Sequence, residues 1–484
     1  MCSTAFDTFT YPTLNTFIHD TICAIATRAG GALSVIRVSG ANAVAYTDRI
    51  FQSASGKRLA ESKANTLHYG TLHTLADASG AREAIDDVVV SLWRAPHSYT
   101  GDDVVEISCH GSQYIAQNII QALIACGCRQ AEPGEYTMRA YLNGKMDLSQ
   151  AEAVADLIAS QSRAAHRLAM NQMRGGFSNE LTILRDKLLQ FTSLIELELD
   201  FADHEELEFA DRSELHQLAN EIELKIKHLA DSFSVGNVIK NGIPVAIVGE
   251  TNAGKSTLLN ALVGEERAIV SDISGTTRDI IEESVNIDGV LFRFVDTAGI
   301  RQTTDTIERM GIERSFGAIA KSNIVLLVID AAAVQSADKQ QINKILTEAD
   351  GKKIILVFNK TDQVTPAALQ EIMRAYAGAQ VESIGISAKQ HLNIDALRRQ
   401  LSAAAQVPEV GQNDVTVTNM RHYEALLHAH DAILRVIDGL NSGISGDFLS
   451  QDLRECLNYL GEITGQITTD EVLGNIFSKF CIGK

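Results

Sequence analysis

The period of hydrophobic and polar positions changes several times along this chain, and each change marks a candidate domain boundary. Residues 21–140 alternate short β-rich runs with Gly-rich turns: Thr21–Ala26, Ser34–Val38, Asp87–Leu92 and Val104–Ser108 read as strands, and Tyr114–Ala125 as a helix between them. That pattern predicts an α+β domain. From 141 to 240 the texture becomes long Ala/Leu/Glu-rich helices, with Leu181, Leu184, Leu188, Phe191 and Ile195 at steps of three and four, the stripe of an amphipathic helix. Near Ile243 apolar runs begin to alternate with helical segments: Val245–Val248, Leu291–Val295, Ile324–Ile329, Ile354–Phe358 and Val381–Ile386 predict parallel strands covered by helices on both faces. After about residue 406 the helical texture returns. The simplest architecture is a multi-domain α+β and α/β chain: an extension over 1–20, an α+β domain over 21–140, and a helical domain split into 141–240 and 406–484 by an inserted α/β domain over 241–405.

Composition narrows the class. A hydrophobic content of 45% and charged content of 21% suit a globular chain, and no apolar run approaches the roughly 18 residues of a membrane span. The N-terminal segment lacks the basic and apolar regions of a secretory signal. Cysteines stand at 2, 23, 109, 126, 128, 456 and 481, an odd number without C-x-x-C spacing, so a disulfide framework or zinc site is not expected and a reducing cytoplasm fits. The nine acids between Glu196 and Glu214 read as a solvated acidic face or loop. A net charge of −19 argues against a broad basic surface gripping nucleic acid. Any RNA would need a local patch or a basic partner.

The chemistry sits in the α/β segment. Gly249-Glu-Thr-Asn252-Ala253-Gly254-Lys255-Ser256-Thr257 follows an apolar strand and opens a helix, the context of a phosphate-binding loop. Its glycines let backbone N–H groups face phosphates, Lys255 reaches the terminal oxygens and Ser256 ligates Mg²⁺. Asp296-Thr297-Ala298-Gly299 ends the next strongly apolar strand, the place for an acid near the metal and a glycine that senses the γ-phosphate. Between them lies Gly275-Thr276-Thr277-Arg278-Asp279, where Thr277 can add a second hydroxyl to Mg²⁺. Asn359-Lys360-Thr361-Asp362 closes another strand, and Asp362 can accept from both N1–H and the 2-amino group of guanine, which adenine cannot satisfy. Ser387-Ala388-Lys389 completes the base pocket. Five motifs in this order, each at a strand end, point to GTP. Ile300 occupies the position where Ras-type switches place a water-orienting Gln. Glu308 is a candidate for that task, with a plain surface glutamate as the competing reading.

At these residues the chain resembles the MnmE (TrmE) family of tRNA-modification GTPases. Its most specific matches lie outside the GTPase motifs: VIRVSG around Arg37, TGDDVVEISCHG around Glu106, EPGEYTMRAYLNGKMDLSQAEA around Lys145, and the terminal FCIGK. The resemblance implies potassium-stimulated hydrolysis, with Asn252 and the switch stretch containing Ser271, Ile273 and Thr276 caging K⁺ in the role of an arginine finger. It implies Glu308 as the catalytic glutamate, a homodimer whose G domains meet across the nucleotide, and an FAD-dependent MnmG (GidA)-like partner. It further implies that Arg37, Glu106, Lys145 and Lys484 bind a 5-formyl- or methylene-tetrahydrofolate. The reaction implied is addition of an aminomethyl or carboxymethylaminomethyl group at C5 of uridine 34 in certain tRNAs. Cys481 is either a reactive thiol beside the folate or a packing residue; the tail itself fits a prenylation box poorly. Thr251 departs from the proline common in the family.

Two other classes compete. A ribosome-assembly GTPase of the Era or Der kind shares the GTPase motifs, but residues 407–484 hold only five Lys and Arg, too few for a basic RNA-binding module. A folate-binding or membrane-remodelling switch is the third reading, and the missing amphipathic anchor weakens its membrane version.

Overall fold

The computed structural model describes residues 20–27, 30–200, 212–264, 283–295, 316–333, 338–376, 381–405 and 415–483. These fall into two compact units. The first comprises the described residues within Met1–Ala155, Gln172–Glu223 and Ala425–Lys484; the second, those within Asp156–Asn171 and Leu224–Glu424.

The first unit is built on a seven-stranded sheet. Its strands are β1 (Ile22–Ile25), β2 (Leu33–Ser39), β3 (Phe51–Ser53), β4 (Thr66–His73), β5 (Ala84–Trp93), β6 (Val104–His110) and β7 (Arg129–Gln130), in the order β3-β4-β5-β6-β2-β1-β7. Neighbours are antiparallel except β1 and β7. One face is apolar. Ile36, Val38, Val88, Val90, Leu92, Val105 and Ile107 pack with buried residues of α1 (Ala43–Ile50) and α2 (Gln113–Cys126), such as Val44, Ile119 and Leu123. Because side chains alternate along a strand, the residues between them, Arg37 and Glu106 included, take the opposite face. Cys23, Cys109, Cys126 and Cys128 are buried thiols in the apolar core, and Cys456 is buried in a later helix.

α3 (Glu135–Leu142) is pinned to the sheet edge by charge. Glu135, fully buried, accepts from Arg129 at 2.6 Å and from Arg139 at 2.9 Å, while Asp20 accepts from the same two arginines at 2.6 and 2.5 Å. Burial opposes ionisation of Asp20, but hydrogen bonds from Arg129 and Arg139 outweigh it and hold the carboxyl below the ordinary value. Helices α4 (Leu148–Ala159), α5 (Arg163–Met173), α6 (Gly176–Asp200) and α7 (Arg212–Asn241) follow. The leucine stripe expected of Leu181 to Ile195 is buried along α6. Of the acidic run, residues 201–211 lie outside the described residues; Glu196 pairs with Arg454 at 2.6 Å.

The second unit holds a six-stranded sheet: β8 (Ile243–Gly249), β9 (Glu283–Ile287), β10 (Val290–Val295), β11 (Ile324–Asp330), β12 (Lys353–Asn359) and β13 (Glu382–Gly385), ordered β13-β12-β11-β8-β10-β9. Only β9 runs antiparallel. Both faces are buried. Val245, Ile247, Leu326, Val328, Ile355 and Val357 pack on one side with residues of α8 (Lys255–Val263); Ala246, Val248, Val325, Leu327, Leu356 and Phe358 pack on the other with Ile342 of α9 (Asp338–Glu348). α10 (Pro366–Tyr376) and α11 (Ile394–Ala405) complete the layers. The last helices are α12 (Met420–Ser442), α13 (Gly446–Thr464) and α14 (Asp470–Phe477), of which α14 packs through Leu473 and Phe477 against Leu148 and Ala151. Among the described residues no helix is long and apolar enough to cross a membrane.

Removing one partner of the buried charge cluster is expected to be costly. Glu135→Ala removes the fully buried carboxylate and leaves Arg139, whose side chain is 3% exposed, with Asp20 as its remaining close carboxylate partner; it should lower unfolding stability by up to about 3 kcal/mol in urea denaturation.

Candidate functional site: a guanine-nucleotide crevice and an arginine-centred pocket

The phosphate-loop residues leave the C-terminal end of β8 and enter α8, at the edge where parallel α/β sheets bind ligands. Two glycines make this turn possible. Gly249 has φ 151° and a Cβ there would lie 2.2 Å from the Val328 carbonyl oxygen; Gly254 has φ 96° and its Cβ would lie 2.2 Å from Asn359 Nδ2. Asn252 adopts a left-handed conformation at φ 65° with its side chain exposed at the loop tip. Lys255 turns back onto its own loop, donating to the carbonyls of Gly249 at 2.8 Å and Glu250 at 2.6 Å. Burial draws its ammonium below the ordinary lysine value, with Glu250 opposing. A cation so placed, beside a helix N-terminus with no side-chain cap, is suited to an incoming phosphate.

One side chain joins three motifs. Asn359, 3% exposed, donates through Nδ2 to the Ala253 carbonyl at 2.9 Å and accepts through Oδ1 from the Ala388 N–H at 3.0 Å. The base loop is braced further by reciprocal backbone bonds between Ser387 and Leu392, and by Gln390 N donating to Ser387 Oγ. Asp362 lies exposed in the 3₁₀ turn Thr361–Gln363, and Lys389 is also exposed. Lys360 has φ 63° and places Nζ 2.5 Å from Asp330 Oδ2. Ser256 is half-buried and Thr257 exposed in the first turn of α8. The first, fourth and fifth motifs are thus assembled in one crevice, and their donors fit a guanine nucleotide. Ser271, Ile273, Thr276, Thr277, Asp296, Thr297, Ala298, Gly299 and Glu308 lie outside the described residues.

A second constellation forms on the face of the seven-stranded sheet turned away from α1 and α2. The register sets Ala24, Arg37, Glu106 and Ser91 in one row across β1, β2, β6 and β5. Arg37 donates to Glu106 Oε1 through Nε at 2.8 Å and lies 2.7 Å from it through Nη2. Its guanidinium carbon sits 5.5 Å from the ring centroids of both Tyr99 and Tyr136. Tyr136 also donates to the Arg37 carbonyl at 2.7 Å, and the Tyr99 hydroxyl meets Thr137 Oγ1 at 2.9 Å. Burial raises both phenols, Tyr136 strongly, so neither ionises near neutrality.

The C-terminal tail reaches this face. Ile482 bridges to Pro133, Gly134 N donates to the Cys481 carbonyl, and the Gly483 carbonyl accepts from Arg37 Nη1 at 3.4 Å. Cys481 is exposed. The structure therefore brings Arg37, Glu106 and the tail together. Lys145 instead engages the loop that carries Tyr99, donating to the Pro96 carbonyl at 2.9 Å; Lys484 lies outside the described residues. A carboxylate, a guanidinium and two aromatic rings thus meet on this face. Sequence reasoning missed Tyr99, Tyr136 and Asp330, because nothing in their spacing pairs them with residues tens of positions away.

Comparison with known proteins agrees over almost the whole chain. The family model for the GTP-binding protein TrmE N-terminus matches residues 21–145, and that for the MnmE helical domain matches 148–481. The tRNA modification GTPase MnmE of Bacteroides fragilis is 61% identical over 470 residues, covering 96% of this chain and 100% of that protein. The Bacteroides thetaiotaomicron protein of the same name is 59% identical with the same coverage, and that of Flavobacterium psychrophilum is 50% identical, covering 96% and 99%. Among solved structures, Aquifex aeolicus Era bound to GDP and AlF4⁻ is 28% identical over 40% of this chain and 67% of that one, at a TM-score of 0.27, too low to inform the fold.

Gly254→Ala adds strain of about 1–3 kcal/mol at a left-handed position and drives a methyl into Asn359. GDP affinity should fall on the order of tenfold or more in a fluorescent-nucleotide titration; wild-type affinity would show that the Asn359 clip is dispensable.

Proposed function

The chain belongs to the MnmE family of tRNA modification GTPases, and from that premise we propose a K⁺-stimulated GTPase that drives a folate-dependent modification at C5 of the tRNA wobble uridine. That it is a GTP hydrolase acting in tRNA modification follows from the family; the cation, the folate and the position modified are the finer reading. The Asn359 clip is the observation that carries the nucleotide part, since it holds the phosphate loop and the base loop at a fixed separation before any ligand arrives.

In this reading Lys255 gives up its carbonyl partners for the terminal phosphates, and Asp362 reads the guanine edge. Ser256 and Thr277 hold Mg²⁺, while Asn252 and backbone oxygens of the Ser271–Thr276 stretch hold K⁺. A monovalent cation there supplies the positive charge that other switches take from arginine. Glu308 orients the attacking water, a task Ile300 cannot perform.

Arg37, Glu106 and the tail support the folate half. Glu106 pairs with the donor edge of the pterin, the tyrosines hold Arg37, and Lys145 and Lys484 meet the remaining carbonyl or carboxylate groups. The folate supplies the one-carbon unit. The domain layout proposed is an N-terminal folate-binding domain over 21–140, a split helical domain and an inserted G domain over 241–405. The assembly proposed is a homodimer working with an MnmG/GidA-like FAD protein in the cytoplasm. A basic partner would take most of the tRNA contact, in keeping with the charge of −19.

Two measurements test this. Nucleoside mass spectrometry of tRNA from cells lacking the chain should show loss of aminomethyl-type groups at C5 of uridine 34, restored by the wild-type gene; an unchanged profile removes the assignment. Exchange of Na⁺ for K⁺ should raise the GTPase rate on the order of tenfold or more, as for a transition-state charge. Equal rates in the two salts would refute the cation cage.

A further inference from the structure

The chain carries a net charge of −19, yet one stretch reverses the sign: residues 157–179 contain no Asp or Glu and hold Arg163, His166, Arg167 and Arg174. Within that stretch α5 buries Leu168 and Ala169 and leaves Arg163, His166 and Arg167 exposed. The start of the helix is firmly seated. Ser162 Oγ accepts from Ala165 N at 3.1 Å, and the Gln161 carbonyl accepts from Asn286 Nδ2 of β9 at 3.0 Å. Gly289, in the turn between β9 and β10, would place a Cβ 3.7 Å from that of Arg163.

The exposed arginines do nothing for the helix that carries them. Arg163 and Arg167 stand near its N-terminus, where a cation opposes the helix dipole, and no acid occupies the first turn to offset it. Four residues apart, the two guanidiniums also repel each other. Among the described residues neither forms an ion pair, and the preceding acid in the sequence, Asp156, is held by Lys240 at 2.8 Å. Positive charge that works against its own helix and has no partner within the chain is suited to an anion from outside. Arg163 and Arg167 lie about 6 Å apart along the helix axis, a step of the same order as that between successive phosphates of a nucleic acid strand, and the guanidinium fork matches phosphate oxygens. A chain of net negative charge repels RNA overall, so contact is confined to a surface where the sign changes. We propose that the exposed face of α5, through Arg163, His166 and Arg167, binds the sugar–phosphate backbone of tRNA. This surface rests on the tRNA reading above and puts part of the tRNA contact on the chain itself.

The test is fluorescence-anisotropy titration of labelled tRNA with the full chain over a range of salt concentrations. Arg163→Ala combined with Arg167→Ala should weaken binding about tenfold at about 0.1 M salt and make the slope of log K against log salt shallower by about one to two, as for the loss of two phosphate contacts. Arg163→Lys combined with Arg167→Lys keeps the charge and should stay within about threefold of wild type. In the double-alanine variant the GTPase rate without tRNA should stay within about twofold, and thermal unfolding should be unchanged or slightly later, because two unfavourable charges leave a helix N-terminus. Earlier unfolding would assign the arginines to the fold and overturn the proposal. Wild-type affinity and salt slope in that variant, or loss of a protein partner with tRNA binding intact, would overturn it too. So would a wild-type chain that binds no tRNA; the modification reading would survive that result, since the nucleosides of cells lacking the chain test it separately.

Discussion

The buried amide of Asn359 is the constraint on which the nucleotide crevice depends. Its donor and acceptor are spent on two main-chain groups, the Ala253 carbonyl and the Ala388 N–H, which belong to loops more than a hundred residues apart in sequence. An amide left unpaired at that depth would cost a few kcal/mol, so the two loops are locked to one spacing rather than free to drift. The lock also explains Gly254: the amide nitrogen occupies the space a Cβ would need. Asn252, Lys255 and Lys360 then hang from a frame that is already closed. The free protein has met part of the entropic cost of binding during folding.

The seven-stranded sheet solves a different problem. One face is given to α1 and α2; the other carries Arg37 and Glu106 beside a small buried cluster of Ile22, Ala24, Ala131 and Tyr136, with Leu33, Leu67 and Tyr69 exposed elsewhere on it. Arg37 and Glu106 stand opposite each other there, half-buried, with the guanidinium near two aromatic rings. The buried arginine–carboxylate cluster around Glu135 fixes the start of α3, and with it Tyr136. The C-terminal tail closes over the same face at Gly483, whose Cβ would lie 2.5 Å from the Ile25 carbonyl oxygen. The first strand and the tail thus meet on one face of the sheet.

How much of this was legible in the sequence depended on how each element is buried. The strands of the second unit stood out as continuous apolar runs because helices cover both of their faces. The long helices were legible from their three-and-four spacing. By contrast β4, Thr66–His73, escaped notice: its first half alternates between exposed and half-buried positions, and Leu67 and Tyr69 are largely exposed. β9 and the two-residue β7 are too short or too polar to carry a period. Boundaries elsewhere moved by one to three residues, as strand ends do when pairing rather than hydrophobicity sets them.

The chemistry of the nucleotide site could be read from the linear chain, because Walker-type loops and base motifs are local: each is a strand end plus a few residues whose backbone does the work. So could the family, through blocks such as EPGEYTMRAYLNGK that no spacing rule explains. Tertiary structure alone decided which side chains meet. The pairing of Arg37 with Glu106, the rings of Tyr99 and Tyr136 around it, the tail beside it, and the grip of Asp330 on Lys360 all join residues from separate strands or loops. Such contacts arise from sheet register and loop packing, and a linear pattern carries no record of either until the chain has folded.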